Sequence, residues 1–253
     1  MAEPGDTATT REERLALTFV ELADTLTDDF DVIAFLDNLA RRAVELLDLA
    51  AVGLMLTDHE GRLHVMAASD EQARLLDLFQ LQNEEGPCLD SFRSGFPVIA
   101  KDLEREGDRW PRASQAALAN GFHAVAALPL RLRDQVIGAM NLLSAEPGRP
   151  GPREVAVGQA FADVATIGIL QQRALQEQHL LAEQLQTALN SRIIIEQAKG
   201  VLAARRNIDM EAAFALLRDR ARSTNRRLSE LAAAVVRGKA DVADLLAGGQ
   251  KAE

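Results

Sequence analysis

The segment Glu146–Pro152 (EPGRPGP) divides this chain into two parts of different construction. Its three prolines and two glycines preclude regular structure. The part before it is interrupted repeatedly by turn signals. The stretch after it, Arg153–Leu189, has no proline and no glycine except Gly158 and Gly168. Short elements have to build the first part, and long helix the second.

Before the break, Arg11–Leu26 and Asp31–Leu47 carry apolar residues at helical spacing, with Ile33, Leu36, Leu39, Ala43 and Leu47 on one face. Ala51–Thr57 and Arg62–Ala68 read as two strands around the turn Asp58–Gly61. A helix is expected over Gln72–Leu81. Asn83–Val98 (NEEGPCLDSFRSGFPV) reads as a loop punctuated by Gly86-Pro87 and Gly95. A second hairpin is expected from Phe122–Leu132 and Val136–Leu143 around Arg133–Gln135, with Pro129 at an edge or bulge. Together these describe an α+β domain, a mostly antiparallel sheet with helices before, between and after its strands.

After the break, Arg153–Leu189 is long enough for one continuous helix. Val157, Phe161 and Val164 form an early apolar seam, and Leu181, Leu185 and Ala188 a late one, separated by the polar run QQRALQEQH. A long helix that is polar on most faces is usually stabilised by pairing, so the second half is expected to be a dimerising connector. The first half fits equally well as a terminal helix docked on its own sheet.

The C-terminal region is basic on an acidic chain. Residues 190–240 hold 11 Lys and Arg against 5 Asp and Glu, a net of +6. The whole chain sums to −10, so the remainder carries −16. Such asymmetry points to a polyanionic partner. Ser191–Lys239 reads as three helices. In the first, Ile194, Ala198, Val201 and Leu202 make a buried stripe. Arg192, Lys199 and Arg206 recur every seven residues and drift by only about 20° per step, so they line one flank as a cationic rail. Arg205 is expected nearer the packed side. Gly200 inside this helix costs about 1 kcal/mol relative to Ala, which close approach by another backbone or a ligand commonly offsets.

Asn207 and Asp209 break the first helix and cap the second, with Glu211 at its positive end. Phe214, Leu217 and Ala221 bury the second helix, with Arg218 and Arg222 beside that face. The following loop adds Asn225, Arg226 and Arg227. Ser229 is expected to cap a third helix that buries Leu231, Ala232, Val235 and Val236. Arginines that merely solvate a small bundle would look similar, but the rail and the acidic remainder favour phosphate contacts, with Asn225 able to reach a base edge. Specific DNA reading is not expected, because the third helix is mostly alanine and valine. Tyrosine is absent and aromatics make up 4%, which disfavours recognition by several stacked aromatics.

Arg192, Glu196, Ala198-Lys199-Gly200, Leu202, Ala212, Phe214, Leu217, Arg218, Ala221, Leu228, Leu231 and Ala232 resemble the signature of the ANTAR domain. That family is the RNA-binding three-helix module of bacterial transcription antitermination regulators. The resemblance implies binding of RNA stem-loops by a homodimer, and with the placement of the cations it makes Arg192, Lys199, Gly200, Arg206, Arg218, Arg222, Asn225 and Arg226 the expected RNA contacts. Ala203 and Ala204 stand where a larger apolar residue is common.

Upstream, Glu84–Leu103 (EEGPCLDSFRSGFPVIAKDL), Trp110-Pro111, Ala126–Leu130 and Ile137–Leu142 resemble a GAF domain. The whole chain is similar to the GAF and ANTAR regulators of actinobacterial type. That implies an α+β GAF sensor over 15–172, a helical connector over 173–189 and an ANTAR bundle over 190–247, between polar tails at 1–14 and 248–253. It also implies an unknown small-molecule ligand, with Cys88, Trp110 and His123 as candidate pocket residues. The competing reading is a sensor that acts through a protein partner docked on the C-terminal bundle.

Other functions lack their residues. There is no G-x-S-x-G, Walker loop or H-E-x-x-H, so catalysis is not expected. His59, His64, His123 and His179 have no ligand spacing with Cys88, so neither metal nor cofactor is expected. Cys88 fits a small buried residue better than a redox sensor or a bilin attachment point. The longest apolar runs, Ala124–Leu130 and Ala232–Val236, are too short to span a membrane, and the N-terminus lacks a secretory layout. A single cysteine excludes an internal disulfide and fits the cytoplasm.

Overall fold

The computed structural model describes residues 10–24, 31–239 and 245. It separates into two compact units, Met1–Arg173 and Ala174–Glu253. The expected tails at 1–9 and 248–253, the end of the expected first helix at 25–26, and residues 240–244 and 246–247 lie outside the described residues.

The first unit opens with α1 (Arg11–Asp24) and α2 (Val32–Leu47), so residues 11–14 of the expected tail are helical. Asp31 caps α2, its carboxylate accepting from the amides of Ile33 and Ala34 at 2.9 and 3.2 Å. Then follow β1 (Ala51–Thr57), β2 (Leu63–Ala68), α3 (Glu71–Asn83), α4 (Pro87–Ser94), β3 (Val98–Ala100), α5 (Pro111–Ala119), β4 (Ala124–Leu132) and β5 (Gln135–Ser144). The five strands form one antiparallel sheet in the order β2-β1-β5-β4-β3.

Strand periodicity gives this sheet two buried faces. Val52, Leu54 and Leu56 of β1 and Ala126, Leu128 and Leu130 of β4 pack with Phe35, Leu36, Leu39 and Leu47 of α2. The same cluster takes in Phe161, Ala165 and Ile169 from the start of α6 (Pro152–Arg206). Phe19 of α1 stacks on Phe161 at 4.9 Å between ring centroids. A register shift at Leu130/Arg131 lets Ile137 join this face. The alternate residues, among them Ala51, Val125, Ala127 and Leu143, pack under α3 and α5 with Trp110 and Phe122.

Pro129 pairs with Ala139 of β5, while β3 reaches only Ala127. The proline therefore stands where β4 has no neighbour on its other side, as its missing amide hydrogen requires. The expected loop 83–98 is a correction: it contains α4 and runs into β3. Pro87 occupies the first turn of α4, and Gly95 closes it in the left-handed region at φ 70°. The residues that read as loop punctuation are the start and stop signals of a short helix.

In the second unit, the expected connector and first bundle helix are one element, since α6 continues unbroken to Arg206. It packs with α7 (Met210–Ser223) and α8 (Leu228–Val236) around Ala198, Leu202, Leu217, Ala221, Leu231, Ala232 and Val235. Asp209 caps α7 by accepting from the Ala212 amide at 2.7 Å. Ser229 is not the cap of α8; Arg227 holds that position, and Ser229 lies inside the helix.

Candidate functional site

Two polar constellations stand out, one in each unit. In the first unit, Asp77 of α3 is fully buried over the sheet. Its Oδ1 accepts from Asn141 Nδ2 of β5 at 2.6 Å and lies 3.4 Å from Gln80 Nε2. Gln80 Oε1 in turn accepts from the backbone amide of Cys88 at 3.2 Å. Gly53 of β1 faces Asn141 in the register, and a Cβ at Gly53 would run into the Asp77 carboxylate. Glycine there creates the space in which the carboxyl sits.

Burial pushes the Asp77 carboxyl up to about 7, only partly opposed by the Asn141 hydrogen bond. The neighbouring cavity of about 10 Å³ lies between the sheet and α3–α5, lined by Leu76, Gln80, Leu103, Ser114, Val125 and Leu143 among others. Among the described residues, no group of three or more His, Cys, Asp or Glu is placed to hold a metal.

In the second unit, the end of α7, the turn after it and the start of α8 enclose a groove of about 320 Å³. Arg218, Ala221, Arg222, Asn225, Arg226 and Leu228 line it. Asn225 adopts the left-handed conformation at φ 51°, which asparagine tolerates better than most residues. That conformation turns the chain from α7 into α8, so helix spacing and one turn residue gather three guanidinium groups around one concavity.

A family model of the GAF domain matches residues 31–170, more than half of the chain. The chain belongs to the GAF domain family. A family model of the ANTAR domain matches residues 183–236. The solved structure of free methionine-R-sulfoxide reductase from Neisseria meningitidis, in complex with its substrate, is similar at 18% identity and a TM-score of 0.51, over 69% of this chain and 97% of that one. The GAF domain of a phosphoenolpyruvate-protein phosphotransferase from Coxiella burnetii is similar at 15% identity and a TM-score of 0.53, over 65% of this chain and 97% of that one. At these identities the likeness shows the fold alone. No curated protein matches the chain.

The GAF match begins at the cap of α2 and ends in α6, so it encloses the Asp77 constellation. Cys88 is fully buried within that domain, packed with Met55 and Ala139. Burial and the nearby Asp77 charge push its thiol well above its usual range, which makes it a poor nucleophile. Trp110 is buried, donates its Nε1–H to Asp90 at 3.0 Å, and lies under the Arg109 guanidinium at 4.2 Å. His123 precedes β4 and is half-buried, 3.8 Å from Glu104. Neither Trp110 nor His123 lines the cavity beside Asp77. The residues that sequence reasoning missed are Asp77, Gln80, Ser114 and Asn141. Asp77 and Asn141 interrupt the apolar runs LLDLF and AMNLL, and that interruption is the signal that could have found them.

The ANTAR match ends at Val236, the last residue of α8, and encloses the cationic groove. Four of the eight expected RNA contacts, Arg218, Arg222, Asn225 and Arg226, line that groove. The other four lie on α6 and do not form a uniform rail. Arg192 is exposed. Lys199 is largely covered, bonded to both Glu196 oxygens at 2.9 Å and lying over the Phe214 ring at 5.6 Å. Arg206 Nε donates to the Leu245 carbonyl at 2.8 Å. Arg205, expected near the packed side, is exposed, and Arg206 is the half-buried member of the pair. Among the described residues, nothing beyond the adjoining helix backbone lies within 4 Å of a Cβ built at Gly200, so none of them offsets its cost by close approach.

Proposed function

We propose that this chain is a signal-responsive RNA-binding regulator. Its GAF domain receives a small-molecule signal, and its ANTAR domain binds stem-loops in nascent or messenger RNA to control transcription termination or translation. The observation that carries the reading is the groove of Arg218, Arg222, Asn225 and Arg226 inside the matched ANTAR segment. Guanidinium groups form bidentate bonds to phosphate, and an adjacent asparagine can read a base edge. Arg192, exposed on α6, is a further cation of the same domain.

The working form is a homodimer paired along the second half of α6. Leu181, Leu185 and Leu189 are 56, 63 and 54% exposed in the single chain, an apolar series that a second copy covers. Signal binding would change that pairing and thereby the register of two basic surfaces on two RNA loops. Among the described residues no helix is long and apolar enough to cross a membrane, and the proposed site of action is the cytoplasm.

The test reverses charge at Arg218 and Arg222, which are exposed and need not be buried for folding. The full chain, wild type and Arg218→Glu/Arg222→Glu, is titrated against hairpin RNA recovered by crosslinking in the native cell. The variant is expected to lose at least tenfold in affinity, about 1.4 kcal/mol, with a shallower salt dependence. Unchanged affinity and salt slope would transfer the function to a docked protein partner. Lys199 is a poorer target, because reversing it places two carboxylates side by side with Glu196 and strips the Phe214 face.

A further inference from the structure

The groove at the end of α7 carries more than phosphate binding needs. Arg218 and Arg222 are exposed one helical turn apart on α7, and the six residues that line the groove include no acid. Among the described residues, the Arg222 guanidinium and the Asn225 amide have no hydrogen-bond or ion-pair partner. Arg218 approaches only its neighbour Asp219, at 3.8 Å. Two available guanidinium groups account for a grip on a polyanion.

The rest of the lining has a different chemistry. Ala221 and Leu228 also line the groove, and both pack into the apolar cluster of the bundle. A phosphate gains nothing from an apolar wall. It also accepts only, so the Asn225 carbonyl oxygen would face it as one acceptor facing another. An amide presents donor and acceptor together, which is the pattern of a nucleobase edge, and an apolar wall suits a base face. In duplex RNA the bases are stacked and their edges lie in grooves that side chains read poorly, whereas an unpaired nucleotide offers face, edge and phosphate together. None of the lining residues is aromatic, so stacking falls to the apolar wall and to guanidinium planes. At about 320 Å³ the groove is of a size that holds a small ligand.

We propose that this groove takes one unstacked nucleotide of an RNA loop, its base against Ala221 and Leu228, its edge on the Asn225 amide and its flanking phosphates on Arg218 and Arg222. The inference rests on reading the C-terminal domain as an RNA binder, and it names the part of the stem-loop that this surface reads. Asn225 sits in the turn between α7 and α8, the two helices that supply the arginines and the apolar wall. Arg226, also in the lining, supplies further donors.

Hairpin RNA recovered by crosslinking in the native cell is the probe, with each loop nucleotide in turn made abasic, and a blunt duplex of the same stem as comparison. Each is titrated against the full chain, wild type and Asn225→Gly. Glycine adopts the left-handed turn at no steric cost and removes only the side-chain amide. One abasic position is expected to cost the wild type about tenfold in affinity, and Asn225→Gly less than about threefold. Asn225→Asp, which tolerates the same conformation and offers acceptors only, should lose the same discrimination, and that separates a missing amide from a loosened turn. Abasic replacements that cost wild type and variants equally, or a duplex that competes as well as the hairpin, overturn the nucleotide pocket and leave a phosphate-binding surface. Unchanged affinity in Arg218→Glu/Arg222→Glu overturns instead the RNA reading beneath it.

Discussion

Asp77→Asn should stabilise the sensor domain, and by an amount that depends on pH. The carboxyl is pushed up to about 7 in the fold by burial, against about 3.9 in an unfolded chain. The native state therefore favours the protonated form. Below about pH 4 both states are protonated and the group contributes no difference. Between about pH 4 and 7 the unfolded chain ionises first, and stability falls by about 1.4 kcal/mol per pH unit. Above about pH 7 the loss levels off near 4 kcal/mol. Asparagine is neutral throughout, and its Oδ1 can still accept from Asn141 Nδ2 as the carboxylate does. The gain from the substitution is then about 2.5 kcal/mol larger at pH 8 than at pH 5. Urea unfolding at pH 5, 6, 7 and 8 measures this directly. Trp110, the single tryptophan, is buried in the same domain and reports its unfolding. A gain that stays constant from pH 5 to 8, or a variant less stable than wild type at pH 8, would refute the account of Asp77 as an unpaired buried acid.

Two further outcomes follow from α6. Replacing Leu181 and Leu185 with lysine should turn a dimer into monomers in sedimentation velocity, because each leucine contributes roughly 1.5–3 kcal/mol when covered; an unchanged sedimentation profile would sink the paired-helix reading. Gly200→Ala should stabilise the C-terminal bundle by about 1 kcal/mol, since among the described residues nothing beyond the adjoining helix backbone lies within 4 Å of the added methyl. A loss of RNA affinity in that more stable variant would locate RNA against Gly200, whereas a loss of stability would mean the position is packed after all.

Much of the fold was legible because a contrast between core and solvent wrote it into the chain. Ala51–Thr57 was read to the residue as β1, and the second hairpin and α2 were read within two residues of their ends. Each is long enough to repeat its period. What escaped was short: α4 has 8 residues and β3 has 3, too few to repeat a period. The cationic rail shows a different limit. Seven-residue spacing put Arg192, Lys199 and Arg206 on one flank, yet partners decide whether a charge is available. Glu196, three residues before Lys199, takes it, and that pairing was visible in the sequence as an i, i+3 couple. The Leu245 carbonyl that holds Arg206 lies 39 residues away, beyond the reach of any periodicity.

The buried polar site is the instructive case, because there the apolar pattern was treated as the signal and the exception as noise. Asp77 and Asn141 lie 64 residues apart and meet only through tertiary structure. β1 pairs with β5 so that Gly53 stands opposite Asn141, and α3 crosses above them. No local rule predicts that encounter. The cost of burial does single out its members, since a carboxylate flanked by Leu75, Leu76, Leu78 and Phe79 on a core-facing helix has to be neutralised or compensated. An acid that persists in such a run is held there against several kcal/mol of desolvation. Hydrogen bonding within the chain supplies Asp77 Oδ1 with one short bond and leaves Oδ2 without any. The balance comes from protonation, which ties the stability of this domain to pH.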